Sequence, residues 1–158
     1  MLQKNHKILF YIRNAFRICL IILLFKVVGC SSPRQVQISI SSSNDVNYGG
    51  NPVVVRVYQL KSAVNFQRSS LESFWDDDIA VLGGDLLGEP FEILLRPDDA
   101  RTLPPIRITD DVVYLAAAAD FYQPDRERWR DILDIREYAG NEVFVLVGNN
   151  RLAIRPPR

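Results

Sequence analysis

From residue 35 onward the chain repeats one pattern: short runs with apolar residues at every second position, set apart by turn formers. A period of two is the side-chain spacing on one face of a β-strand, and a helix does not reproduce it. Val36, Ile38 and Ile40 alternate with Gln35, Gln37 and Ser39, which predicts a half-buried first strand. Pro52–Leu60 predicts a second. Val53, Val55 and Val57 share one of its faces, while Val54, Tyr58 and Leu60 partly fill the other, so it belongs inside a sheet or beneath an extra layer. Phe91, Ile93 and Leu95 mark a third strand, closed by Pro97; Ile106 and Ile108 mark a short fourth after Pro104 and Pro105. Val113, Leu115, Ala117 and Ala119 mark a fifth. The alanines favour helix on propensity alone, but Val112-Val113-Tyr114 lead into them, and small side chains on a strand let another layer pack close. Glu142–Gly148 is a sixth strand, and Asn149-Asn150 turns the chain into a short last strand, Arg151–Ile154. Six or seven such strands predict an all-β, two-sheet β-sandwich over residues 35–158.

One stretch departs from this period. Ser69-x-x-Glu72 has the form of a capping box, and Leu71, Phe74 and Trp75 follow at helical spacing, so a short helical insertion is expected over 70–75. A second helical turn is expected near 126–132 with Trp129 as its apolar anchor.

Residues 1–29 carry five basic side chains and no acid, and the run Ile18–Phe25 is apolar. At eight residues it falls short of the roughly 20 that a membrane span needs, yet it has the layout of a secretory signal peptide. Val27-Val28-Gly29-Cys30 resembles a bacterial lipobox, in which the Cys receives lipid. The expected organisation is a lipoprotein signal peptide over 1–29, lipidated Cys30 with a short linker over 30–34, and the sandwich. Ser31 follows the Cys, and the absence of an Asp there favours the outer membrane, with the domain on its periplasmic face.

That organisation removes much chemistry. Cys19 and His6 leave with the signal and Cys30 is the anchor, so the mature domain has no His and no free Cys. A Ser-His-Asp triad, a Cys nucleophile, a His-ligated zinc and internal disulfides are excluded, and no catalytic residue, cofactor or metal is expected beyond the covalent lipid on Cys30. Beyond residue 29 the chain carries 14 basic and 19 acidic residues, a net charge of −5, which argues against nucleic acid.

Asp76-Asp77-Asp78 lacks the spacing of an EF-hand loop and reads as a solvated helix end with one Asp capping the next turn. The mixed charges of Asp125–Asp131 read as a solvated face, and Trp75 and Trp129 as core anchors. Ser41–Asn51 stands apart. It is polar, about eleven residues long where hairpin loops usually take two to five, and it shows Val46 and Tyr48 as exposed-looking side chains. It is either a docking finger or a slack connection between neighbouring strands.

Taken in order, lipobox Cys30, Val53-Val54-Val55-Arg56-Val57-Tyr58-Gln59-Leu60-Lys61, Phe66, Phe74-Trp75-Asp76-Asp77-Asp78, Leu82-Gly83, Asp85-Leu86-Leu87, Ala119-Asp120-Phe121 and Trp129-Arg130 resemble the TssJ family. These are outer-membrane lipoproteins of the type VI secretion system. The resemblance implies a transthyretin-like sandwich. It also implies a structural role: anchoring the trans-envelope membrane complex by binding the periplasmic C-terminal region of TssM, and through it TssL, with no small-molecule substrate. The family's contact runs through the loop between the first two strands, which nominates Asn44, Asp45, Val46, Asn47 and Tyr48 by position. The alternative is a periplasmic lipoprotein that binds or hydrolyses a cell-wall or sugar ligand through carboxylates such as Asp76–Asp78 beside the two Trp.

Overall fold

The computed structural model describes residues 33–157. Cys30 and the signal segment lie outside the described residues. The chain forms β1 (Arg34–Ser42), β2 (Val53–Leu60), α1 (Val64–Arg68), α2 (Leu71–Asp76), α3 (Asp78–Leu82), β3 (Phe91–Leu95), β4 (Ala100–Thr102), β5 (Ile106–Ile108), β6 (Tyr114–Ala119), β7 (Arg130–Asp134), β8 (Glu142–Val147) and β9 (Leu152–Arg155). No helix among the described residues is long and apolar enough to cross a membrane.

The strands make two sheets, one in the order β4-β1-β8-β9 with β5 also paired to β1, the other β3-β2-β6-β7. Every pairing is antiparallel except β1 with β8. β1 and β2 therefore lie in different sheets. The segment joining them crosses from one sheet to the other instead of closing a hairpin, which is why it is longer than a hairpin loop.

The interior is one apolar cluster. Val36, Ile38 and Ile40 of β1 and Val143, Val145 and Val147 of β8 contribute from the first sheet; Val53, Val55 and Val57 of β2, with Leu115, Ala117 and Ala119 of β6, contribute from the second. The alternation in sequence produces this directly, because alternate side chains of a strand leave on opposite faces.

The far side of the second sheet is not open to water. Tyr58 pairs across to Ala116, and Arg56 to Ala118. Above these alanines lie Phe66 of α1, Phe74 of α2 and Trp129, all fully or nearly fully buried. Phe74 stands edge-on to Phe66 at 5.4 Å and lies 5.2 Å from the Trp129 ring, distances at which aromatic pairs attract. The small side chains of β6 thus make room for a helical layer, and Trp129 is a core anchor.

Local capping shapes that layer. Ser70, not Ser69, is the cap of α2: its Oγ accepts from Ser73 N at 3.2 Å. Ser69 instead ends α1, donating to Phe66 O. Asp77 Oδ1 accepts from Ala80 N at 2.8 Å and caps α3. The helical turn expected over 126–132 is absent; residues 125–129 form a turn and 130–134 form β7. β4 and β7 carry no clean alternation, and their pairing partners, β1 and β6, are what order them.

Candidate functional site: a braced loop end

Asn44–Asn51 is neither slack nor a simple finger. Asn47 (φ 49), Tyr48 (φ 59), Gly49 (φ 95) and Gly50 (φ 93) run consecutively through the left-handed region. Asn tolerates that region because its short amide bonds locally, and the glycines adopt it freely. Gly50 has a second constraint, since a Cβ there would sit 3.3 Å from Asn44 O.

The turn is tied on every side. Val46, read from sequence as exposed, is fully buried in the sandwich core. Asn47 is only 7% exposed. Its Nδ2 donates to Pro52 O at 2.7 Å, and its Oδ1 accepts from Tyr122 N at 2.8 Å. A buried amide so satisfied locks both segments. Tyr48 N donates to Asn149 O at 2.9 Å, and Asn149 Nδ2 reaches Asp45 Oδ2 at 3.3 Å. Ser43 Oγ donates to Asp45 Oδ1 at 2.6 Å. These side-chain hydrogen bonds, Ser43 first and Asn149 second, hold the Asp45 carboxyl below its ordinary value. Asp98 N donates to Ser43 O, which brings in the β3–β4 connection.

Four connections thus converge at one end of the sandwich: 43–52, 96–99, 120–129 and 148–151. What they present outward is aromatic. Tyr48 is 57% exposed and Tyr122, which the sequence reading did not single out, is 78% exposed. Of the five nominated residues, Asn44, Asp45 and Tyr48 face solvent, while Val46 and Asn47 are internal braces.

The acidic run resolves into separate roles. Asp77 is the cap, as expected of one of the three. Asp78 is not solvated: it is 6% exposed, accepts from Tyr58 Oη at 2.6 Å and pairs with Arg56 at 3.0 Å. Arg56 also pairs with Glu92 at 2.7 Å and lies over the Trp75 ring at 5.0 Å. Burial first, and the adjoining Asp78 carboxylate second, push the Tyr58 phenol far above its ordinary value. This network clamps α3 to β2. The one sign of it in sequence was Arg56, a charge in the middle of an apolar strand that demands a partner. Arg130 also departs from the solvated-face reading. Its guanidinium donates to Phe66 O, Gln67 O and Ser69 O at the end of α1 and stacks over Trp129 at 4.5 Å, where free helix carbonyls attract a cation. Asp78 and Trp129 are therefore committed to internal packing, while Trp75 lines an open surface pocket with Glu72 and Asp76.

The architecture defines a class: a transthyretin-like two-sheet β-sandwich carrying a helical layer on one face. The family described as "Type VI secretion lipoprotein, VasD, EvfM, TssJ, VC_A0113" matches residues 34–150. The chain belongs to this family of type VI secretion lipoproteins. Among solved structures it is similar to the T6SS lipoprotein TssJ1 from Pseudomonas aeruginosa, with 27% identity and a TM-score of 0.69 over 80% of this chain and 100% of that one. Serratia marcescens Lip, described as a membrane-bound component of the type VI secretion system, shares the fold at 20% identity and a TM-score of 0.68, over 80% of this chain and 99% of that one. So does a chain of the structure named "T6SS protein TssM C-terminal domain (869-1107) from EAEC", at 24% identity and a TM-score of 0.62, over 78% of this chain and 99% of that one. No curated protein matches.

Proposed function

We propose that this chain is the outer-membrane adaptor of a type VI secretion membrane complex. Lipid on Cys30 holds it to the periplasmic face of the outer membrane. The braced loop end grips the periplasmic C-terminal region of TssM, which spans the inner membrane with TssL. The role is mechanical and has no reaction in it.

The observation that carries this reading is the loop end itself. Docking favours side chains that are large, presented outward and already ordered, because little conformational entropy is then lost on binding. Tyr48 meets all three conditions: it is exposed, it sits on a left-handed turn, and its backbone is bonded to Asn149. Membership of the type VI lipoprotein family supports the choice of partner. Lipid on Cys30 suits a load-bearing role, since each buried methylene adds about 0.8 kcal/mol.

The test is capture of purified TssM periplasmic region by the lipoprotein. Tyr48→Asn is the informative variant, since Asn keeps the left-handed backbone and removes the ring. It is expected to abolish capture while leaving the melting temperature unchanged; unaltered capture refutes the loop assignment. Shortening 44–50 is a poorer probe, because it also removes buried Val46. Separately, Cys30→Ser is expected to release the protein from membranes and stop secretion, and secretion at the wild-type level by that variant refutes the anchor.

A further inference from the structure

Beside the loop end, a groove of about 890 Å³ runs onto the outer face of the first sheet. Its floor is made of small residues, Ser41, Gly148 and Ala153, and Leu146 rises from it 47% exposed. Its charged lining is four arginines, Arg128, Arg130, Arg151 and Arg155, against two acids, Glu127 and Asp131, a surplus of two positive charges. The domain around it is acidic, so this is a local reversal of sign. Glu127 is held by Arg130 at 2.6 Å and Asp131 by Arg155 at 2.6 Å. Arg128 meets Asp125 only at 3.4 Å, and Arg151 makes no ion pair among the described residues. Arg151 is the uncommitted cation of the rim, and Arg128 beside it is held only in a solvent-exposed pair with Asp125.

The groove is not a place to add a strand. The outward N–H groups of β9 are taken: Leu152 N donates to Arg128 O at 2.8 Å and Ile154 N to Asp131 Oδ2 at 3.1 Å. An occupant lies across the face and is held through its side chains. The floor admits a backbone closely, Leu146 offers one apolar contact, and the rim selects negative charge.

We infer that this groove is a second docking surface, filled by an extended acidic segment of the same partner that the loop tip engages. The inference rests on the adaptor reading above. Ser43 and Gly148 belong both to the groove wall and to the braced end, so a partner seated on Tyr48 reaches it without a break.

The experiment measures the affinity of the full lipidated chain in detergent for the purified TssM periplasmic region at low and high salt. Arg128→Glu with Arg151→Glu is expected to weaken Kd about tenfold at low salt and to flatten the salt dependence. Arg107→Glu, a charge reversal on exposed β5 outside the groove, is expected to leave Kd unchanged. Wild-type Kd and salt slope in the double variant, with Tyr48→Asn still abolishing binding, overturn the groove and leave the loop reading intact. Equal weakening by Arg107→Glu also overturns it, since the effect is then one of overall charge. No binding by the wild-type chain removes both readings.

Discussion

The outer faces of the two sheets are built in opposite ways. On β3-β2-β6-β7 the outward side chains are covered: Ala116 and Ala118 lie under Phe66, Phe74 and Trp129, and Arg56 is clamped by Asp78 and Glu92. On β4-β1-β8-β9 the outward side chains are Gln37, Ser39 and Ser41 of β1, with Phe144 and Leu146 of β8 beside them, and no helix among the described residues covers them. One face is a third layer of core. The other has no such layer among the described residues. The helical insertion is a lid on one sheet only, and polar residues survive in β1 because that lid is missing.

Four substitutions sharpen or break this contrast. The largest effect is expected from Trp129→Ala under the lid, about 4 kcal/mol of destabilisation for a large buried aromatic, read by urea denaturation. Asp78→Ala is next, at about 3 kcal/mol, because Arg56 and the Tyr58 hydroxyl lose their buried acceptor; a loss below about 1 kcal/mol would show that the clamp is ornamental. The Tyr58 phenol gives a pH signature. Its folded-state pKa lies above the unfolded value near 10, so its contribution is complete below about pH 10 and is lost as pH rises beyond it. The denaturation midpoint of the wild type is expected to fall in that alkaline range, and in Tyr58→Phe this part of the fall is expected to vanish. The smallest effect is on the bare face: Leu146→Ser is expected to change stability by no more than about 0.5 kcal/mol. A cost near that of Trp129→Ala would mean the first sheet carries a cover of its own.

The legible part of the fold was the part with a local period. β1, β2, β3, β5, β6, β8 and β9 alternate within themselves, and α2 carries a helical apolar face with a Ser cap one residue from the expected one. β4 and β7 were not legible, since Ala100–Thr102 and Arg130–Asp134 are strands only because β1 and β6 lie beside them. The braced end was half legible. An over-long polar segment between two strands pointed to 41–51, and Tyr48 does face out. Tyr122 was missed because it is brought there by a bond to Asn47, 75 residues away in sequence.

Seven of the nine strands among the described residues, the apolar face of each, and the lack of any His or Cys in residues 31–158 were readable from the chain alone, because these follow from composition and from the geometry of neighbouring residues. Only the tertiary structure decided that β1 and β2 part into different sheets, that Val46 turns inward while Tyr48 turns out, and that Asp78 is a buried clamp rather than a wet helix end. Each of those outcomes is set by a partner distant in the chain, and period and propensity carry no information about partners.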